Sequence, residues 1–168
     1  MIRTLGACLV VVASTGVGLM LGRRLHSRER LLETSERLLL HLETSLRYTA
    51  APPIDLIDEA CKMSDFAQLP FLCNWFSCKG VDFNTRWRDG LAQAVAKGEM
   101  EREDADVLLA FGEGCGCSDV QGQISHIRLF ADRLHTRWEA VRKTASSRAR
   151  LYLTLGLLGG GALALLCV

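Results

Sequence analysis

An excess of charge of either sign is missing from this sequence: 20 Lys and Arg stand against 19 Asp and Glu in 168 residues. A dedicated nucleic-acid binder needs a large basic footprint, so that class is excluded. Sustained apolar–polar alternation is missing as well, which argues against a sheet. No internal repeat, low-complexity tract or flexible linker interrupts residues 23–150, so the length suits one compact middle domain rather than two. A phosphate loop would need a Gly-x-x-x-x-Gly-Lys-Ser/Thr run after a strand, and neither the lysine nor the strand is there. No Ser/His/Asp or paired-carboxylate arrangement stands out either. The seven cysteines are odd in number and fit free thiols in a reducing compartment better than a disulfide framework.

Charge is also missing locally. Every acidic residue and every basic residue except Arg3 lies between Arg23 and Arg150, which leaves two uncharged apolar ends. The first, Leu5 to Gly22 (LGACLVVVASTGVGLMLG), is eighteen residues long. As a helix it would span about 27 Å at 1.5 Å per residue, close to the ~30 Å hydrocarbon thickness of a bilayer. A signal peptide is the competing reading, but no Ala-x-Ala site follows and the run continues past Ala13, so an uncleaved anchor is expected. The second, Leu151 to Val168 (LYLTLGLLGGGALALLCV), is also eighteen residues. Arg23, Arg24, Arg28 and Arg30 follow the first run, and Arg142, Lys143, Arg148 and Arg150 precede the second. The positive-inside bias therefore predicts a hairpin with its middle domain in the cytoplasm. Gly18-x-x-x-Gly22 and Gly156-x-x-x-Gly160 offer close helix approach within the two spans.

What is present between the ends is helical periodicity. Leu25, Leu32, Leu39 and Leu46 repeat every seven residues, with Leu42 on the same face and Leu31 and Leu38 beside it. This predicts an amphipathic helix of a bundle, ended by Pro52 and Pro53, with Arg28 and Ser35 as polar seam positions. Shorter helices are expected at Ile54–Met63, Pro70–Ser77, Asn84–Lys97 (Trp87, Leu91 and Val95 inward) and Glu101–Glu113, whose acidic start suits a helix N-terminus. From Ser118 the positions Val120, Ile124, Ile127, Ala131, Leu134, Trp138, Val141 and Ala145 form one stripe, which predicts a long helix continuing into the second apolar run. The fold class expected is all-α: a helical bundle over 23–150, flanked by transmembrane helices over 1–22 and 151–168.

The stretch FGEGCGCSDVQGQISHI, Phe111 to Ile127, admits a metal site, a phosphate loop or a helix junction. Cys115, Cys117 and His126 have unsuitable spacing for zinc and lack a convincing fourth ligand. Ser118 to Gln121 has the capping-box form Ser-x-x-Gln, and Gly114 and Gly116 can supply the positive-φ conformations that close a helix. The hinge and packing residues are therefore Gly112, Gly114, Gly116, Ser118, Gln121, Gly122 and His126. Gly122 costs its helix about 1 kcal/mol relative to Ala, which a close helix contact would explain.

Taken together, LGACLVVVASTGVG followed by Arg23 and by Arg28 to Arg30, LETSLRY leading to Pro53, FGEGCG followed by SDVQGQISHI, and LYLTLGLLGGG resemble the stage III sporulation protein AB family of endospore-forming bacteria over nearly the full length. Ser45 stands where the family often has an acidic residue, and Arg150 where it more often has lysine. The stretch from Ala60 to Lys97 matches least. The resemblance implies a membrane component of the machine joining mother cell and forespore, in the mother-cell or outer forespore membrane. It also implies a cytoplasmic domain similar to the helical platform proteins of type II secretion. Its partners would be the ATPase of the same complex and the other membrane subunits, with self-association allowed.

The function expected is a non-enzymatic assembly platform without cofactor or metal. Arg28, Glu43, Tyr48, Arg133 and Arg137 are the candidate partner surface, and Arg133, Arg137, Arg142 and Arg148 could meet an acidic partner or lipid headgroups. The alternatives are a membrane-anchored division or cytoskeletal adaptor and a thiol- or metal-dependent membrane enzyme using Cys115, Cys117, His126 or His135.

Overall fold

A computed structural model describes residues 2–166 apart from 78–79, with side chains from 26 to 76 and from 80 to 144. Among the described residues five α-helices are formed: α1 (Ile2–Thr49), α2 (Pro53–Ala60), α3 (Phe83–Ala96), α4 (Arg102–Gly114) and α5 (Val120–Leu166). Two short 3₁₀ turns, Pro70–Leu72 and Trp75–Ser77, lie between α2 and α3. The chain divides into two compact units, one of Arg30–Trp138 and one of Met1–Glu29 with Glu139–Val168. The apolar runs at 5–22 and 151–168, with Gly18, Gly22, Gly156 and Gly160, lie outside the residues whose side chains are described. Among the described residues, no helix is long and apolar enough to cross a membrane.

In the unit Arg30–Trp138, α1 buries Leu32, Leu38, Leu39, Leu42 and Leu46 along one stripe. Ser35, on the same stripe, is 0 % exposed, and its hydroxyl has no hydrogen-bond partner. Ala50, at φ 47°, turns the chain out of α1. Pro52 and Pro53 then prevent helical continuation, and Pro53 opens α2 where a missing N–H costs nothing. Leu56, Ile57 and Ala60 are the buried face of α2.

The expected single helix over Pro70–Ser77 is instead two 3₁₀ turns, which bury Phe71, Leu72 and Trp75. The Asp82 carboxylate caps α3 by accepting from the Thr85 amide at 3.0 Å, a bond that holds its carboxyl below the usual range. The inward residues of α3 are Arg86, Trp87, Leu91 and Ala94; Val95 is only half-buried. Trp87 is the hub of the core. It packs edge-on to Phe71 and Phe111, with centroids at 5.2 and 5.7 Å, stacks on Phe83, and donates its indole N–H to the Leu108 carbonyl at 2.7 Å. A buried tryptophan with a satisfied N–H adds both area and direction to a core.

Within this unit α5 contributes Ile124, Ile127, Phe130, Ala131 and Leu134. Val120, expected on the same stripe, is 41 % exposed because it sits in the first turn at the end of the bundle. Antiparallel pairing of α1 with α5 is marked by two polar contacts one heptad apart: the ion pair of Glu43 Oε1 with Arg128 Nε at 2.9 Å and the hydrogen bond of Glu36 Oε1 with His135 Nδ1 at 3.0 Å. In the other unit, Glu29 lies 3.8 Å from Arg142.

Candidate functional site

The residues from Phe111 to Ile127 join α4 to α5, and their backbone accounting explains the sequence. The last four carbonyls of a helix have no partner within it. In α4 these belong to Phe111, Gly112, Glu113 and Gly114. His126 Nε2 donates to Phe111 O at 2.9 Å, and the Cys115 amide donates to Gly112 O at 3.1 Å. The Cys117 thiol reaches Glu113 O at 3.6 Å, and Gln123 Nε2 donates to Gly114 O at 3.3 Å. Two side chains from the first two turns of α5 thus complete the end of α4.

Glycines make this approach achievable. A Cβ on Gly114 would strike the imidazole of His126, and one on Gly112 would strike the indole of Trp87. The His126 ring stacks on Phe111 with centroids 5.6 Å apart and leans on Phe130 at 4.8 Å. Only Gly116 of the hinge glycines takes a positive φ, 79°, and it turns the chain between the helices.

The capping box is corrected in detail. Asp119 is the residue whose side chain caps α5, accepting from the Gly122 amide at 3.1 Å. Ser118 Oγ accepts from Gln123 Nε2 at 3.2 Å, while Gln121 is exposed and offers only its backbone carbonyl, to Ser125. A Cβ on Gly122 would come within 2.7 Å of Ser118 Oγ and 2.8 Å of Asp119 Oδ1, so its smallness clears the cap of its own helix. Gln123, buried and bonded to both α4 and Ser118, is the hinge residue that pattern reading missed, because a polar residue on a stripe of Ile124 and Ile127 carries no periodic signal.

Of the two hinge cysteines, Cys117 is exposed and Cys115 is held as the neutral thiol at neutral pH. Cys115 is buried, and desolvation followed by the nearby Cys117 pushes its thiol up to about 12. Burial likewise raises Cys61 to about 11. Among the described residues, no three of His, Cys, Asp and Glu converge as metal ligands.

Against this hinge lies an apolar cleft of about 210 Å³. Its buried floor includes Leu42, Leu46, Ile57, Phe111, Cys115 and Ile127, and its more exposed rim includes Ala51, Pro52 and Val120. The cleft therefore brings together the end of α1, the Pro52–Pro53 turn and the α4–α5 hinge, at the end of this unit opposite residues 30 and 138. LETSLRY and FGEGCG, far apart in sequence, meet there.

The residues expected on a partner surface have different surroundings. Glu43 is 8 % exposed, and its carboxylate accepts from Arg47 Nη2 at 2.8 Å as well as from Arg128, so it bridges α1 and α5. Arg137 Nη1 reaches Asp104, which is 0 % exposed, at 2.9 Å, and so serves a buried counter-charge. Arg133 lies over the Phe130 ring at 4.8 Å, and Arg28 is half-buried in the other unit. Arg133 is also exposed, and Tyr48 is 85 % exposed.

No solved structure matches this chain. A stage III sporulation protein AB of Bacillus subtilis (strain 168) is 28 % identical over 171 residues, covering 99 % of both chains. The sequence profile described as stage III sporulation protein AB matches residues 3–168. With the match spanning both apolar runs, the bundle and the hinge, this chain belongs to the stage III sporulation protein AB family and is a sporulation protein.

Proposed function

We propose that this protein is a non-enzymatic platform of a type II secretion-like complex joining mother cell and forespore. The runs 5–22 and 151–168 anchor it in the mother-cell or outer forespore membrane, and the bundle faces the cytoplasm. Its partners are the ATPase of the complex and the other membrane subunits, and the Gly18/Gly22 and Gly156/Gly160 pairs pack membrane helices. One observation carries the reading: at the hinge, His126 and Gln123 are committed to α4 carbonyls and so hold two helices together, while the Cys115 thiol is protonated and buried. Family membership and the arginine-flanked uncharged ends support the membrane setting.

The test joins topology to assembly. Reporter fusions at residue 90 should report the cytoplasm, photo-crosslinkers along Leu25–Tyr48 should trap subunits of the complex in sporulating cells, and Cys115→Ser with Cys117→Ser should sporulate normally. A residue 90 outside the cell, or sporulation lost in a stably folded double serine variant, refutes the platform.

A further inference from the structure

We infer that the apolar cleft beside the hinge is a docking site for a protein segment that carries a bulky aliphatic or aromatic side chain flanked by Lys or Arg. The inference rests on the platform reading and names the chemistry of one of its partners. Size comes first. Small-molecule and cofactor pockets run from roughly 300 to 1,000 Å³, so at about 210 Å³ this cleft suits one or two side chains rather than a cofactor. A buried apolar anchor in such a pocket, ringed by less energetic contacts, is how protein interfaces concentrate affinity.

Charge selects the kind of segment. Asp55, Glu113 and Asp119 are exposed, and each is bracketed in sequence by cleft-lining residues: Pro53 and Leu56, Phe111 and Cys115, Ser118 and Val120. None of the three has an ion-pair partner among the described residues, whereas Glu43 nearby is held by two arginines. The wider distribution points the same way. Residues 31–141 contain 11 Lys and Arg against 18 Asp and Glu, a net charge of −7, while 23–30 with 142–150 contain 8 against 1, a net charge of +7. A second copy of the bundle would bring like charge to the cleft, at an energetic cost. A basic-flanked segment would bring complementary charge and a side chain for the apolar floor. The exposed Val120 supplies apolar surface at the rim of the cleft.

The test uses the full chain in non-ionic detergent and three labelled synthetic helical peptides, read by fluorescence anisotropy. The first has leucines on one face with flanking lysines, the second replaces the lysines by glutamates, and the third replaces the leucines by alanines. Only the leucine–lysine peptide should bind, and less tightly as salt is raised. Two substitutions probe the site separately. Asp55→Lys with Glu113→Lys changes two exposed carboxylates and should weaken binding about tenfold. Ala51→Trp, which fills the rim, should weaken it about thirtyfold. Equal binding of all three peptides, or binding indifferent to the double charge reversal, overturns the inference. So does a wild-type dimer in sedimentation that Val120→Glu dissociates, since that would assign the cleft to a second copy. If peptide binding is lost in the double variant while its cells assemble the complex normally, the chemistry of the cleft stands and its use by the platform is what fails.

Discussion

Gly114→Ala should destabilise the wild-type protein and yet be harmless once His126 has been removed. Gly114 closes α4 without a positive φ, so alanine meets no backbone objection there. Alone, the change should even help, because alanine favours a helix by about 0.8–1 kcal/mol over glycine. The imidazole of His126 occupies the space a Cβ would need. Its displacement breaks the 2.9 Å bond to Phe111 O, leaving a carbonyl unsatisfied at about 1–3 kcal/mol. It also loosens the contacts with Phe111 and Phe130, roughly 0.5–1.5 kcal/mol. The net loss expected in the wild type is about 1–3 kcal/mol after the propensity gain. In the His126→Ala background the clash and the bond are already gone, so Gly114→Ala should be neutral or stabilising by up to about 1 kcal/mol. Urea unfolding of the full chain in detergent, followed by far-ultraviolet circular dichroism, measures all four corners of the cycle. Equal costs of Gly114→Ala in both backgrounds would refute the assignment of His126 as the cap of α4.

Ser35→Ala should stabilise the bundle by about 1 kcal/mol in the same unfolding assay, because it removes a fully buried hydroxyl that has no partner; a loss of stability would show that the hydroxyl is satisfied. Asp119→Ala should cost about 1 kcal/mol through loss of the α5 cap, while Gln121→Ala, at an exposed position, should stay within about 0.5 kcal/mol of wild type; the reverse ranking in paired melts would restore the capping box. Iodoacetamide at neutral pH, with peptide mapping, should modify Cys73 and Cys117 quickly and Cys61 and Cys115 slowly, as their burial requires; rapid labelling of Cys115 would contradict the closed hinge. Because folding raises the Cys115 thiol from 9.0 to about 12, the unfolded chain releases that proton first. The stability tied to the neutral thiol is thus complete below pH 9.0 and lost as pH climbs towards about 12. Stability against pH should consequently fall less steeply over that window in Cys115→Ala, and parallel curves would count against burial as the cause.

Periodicity made the long elements legible. The leucines of α1, its stop before Pro52, and the Ile124–Leu134 stripe of α5 all follow from which residues recur every three or four positions, since each helix must bury one face. The hinge was legible as a junction because glycines and cap-forming residues cluster there. Its wiring was not: Ser118 and Asp119 are adjacent and chemically able to cap equally well, and only the path of the chain decides between them. Glu43 illustrates a wider limit. Its heptad neighbours mark it as surface, and its burial depends on Arg128, 85 residues away. Gly112 and Gly114 belong to the same class, being small because rings from α3 and α5 lie on them. The stretch from Pro70 to Ser77 reads as one helix, and it folds instead as two turns that set Phe71 and Trp75 edge-on to Trp87, a contact the local sequence does not encode.

The participation of α5 in finishing α4 and in flanking α1 has a temporal side. A nascent chain emerging at roughly 5–20 residues per second has α1 complete at Thr49, but must wait some 89 residues, roughly 4 to 18 seconds, for Trp138 and with it the helix that shields those leucines. Throughout that interval a newly made apolar stripe is without its permanent cover, so translation speed and chaperone supply bear directly on how many copies of this protein reach the folded state.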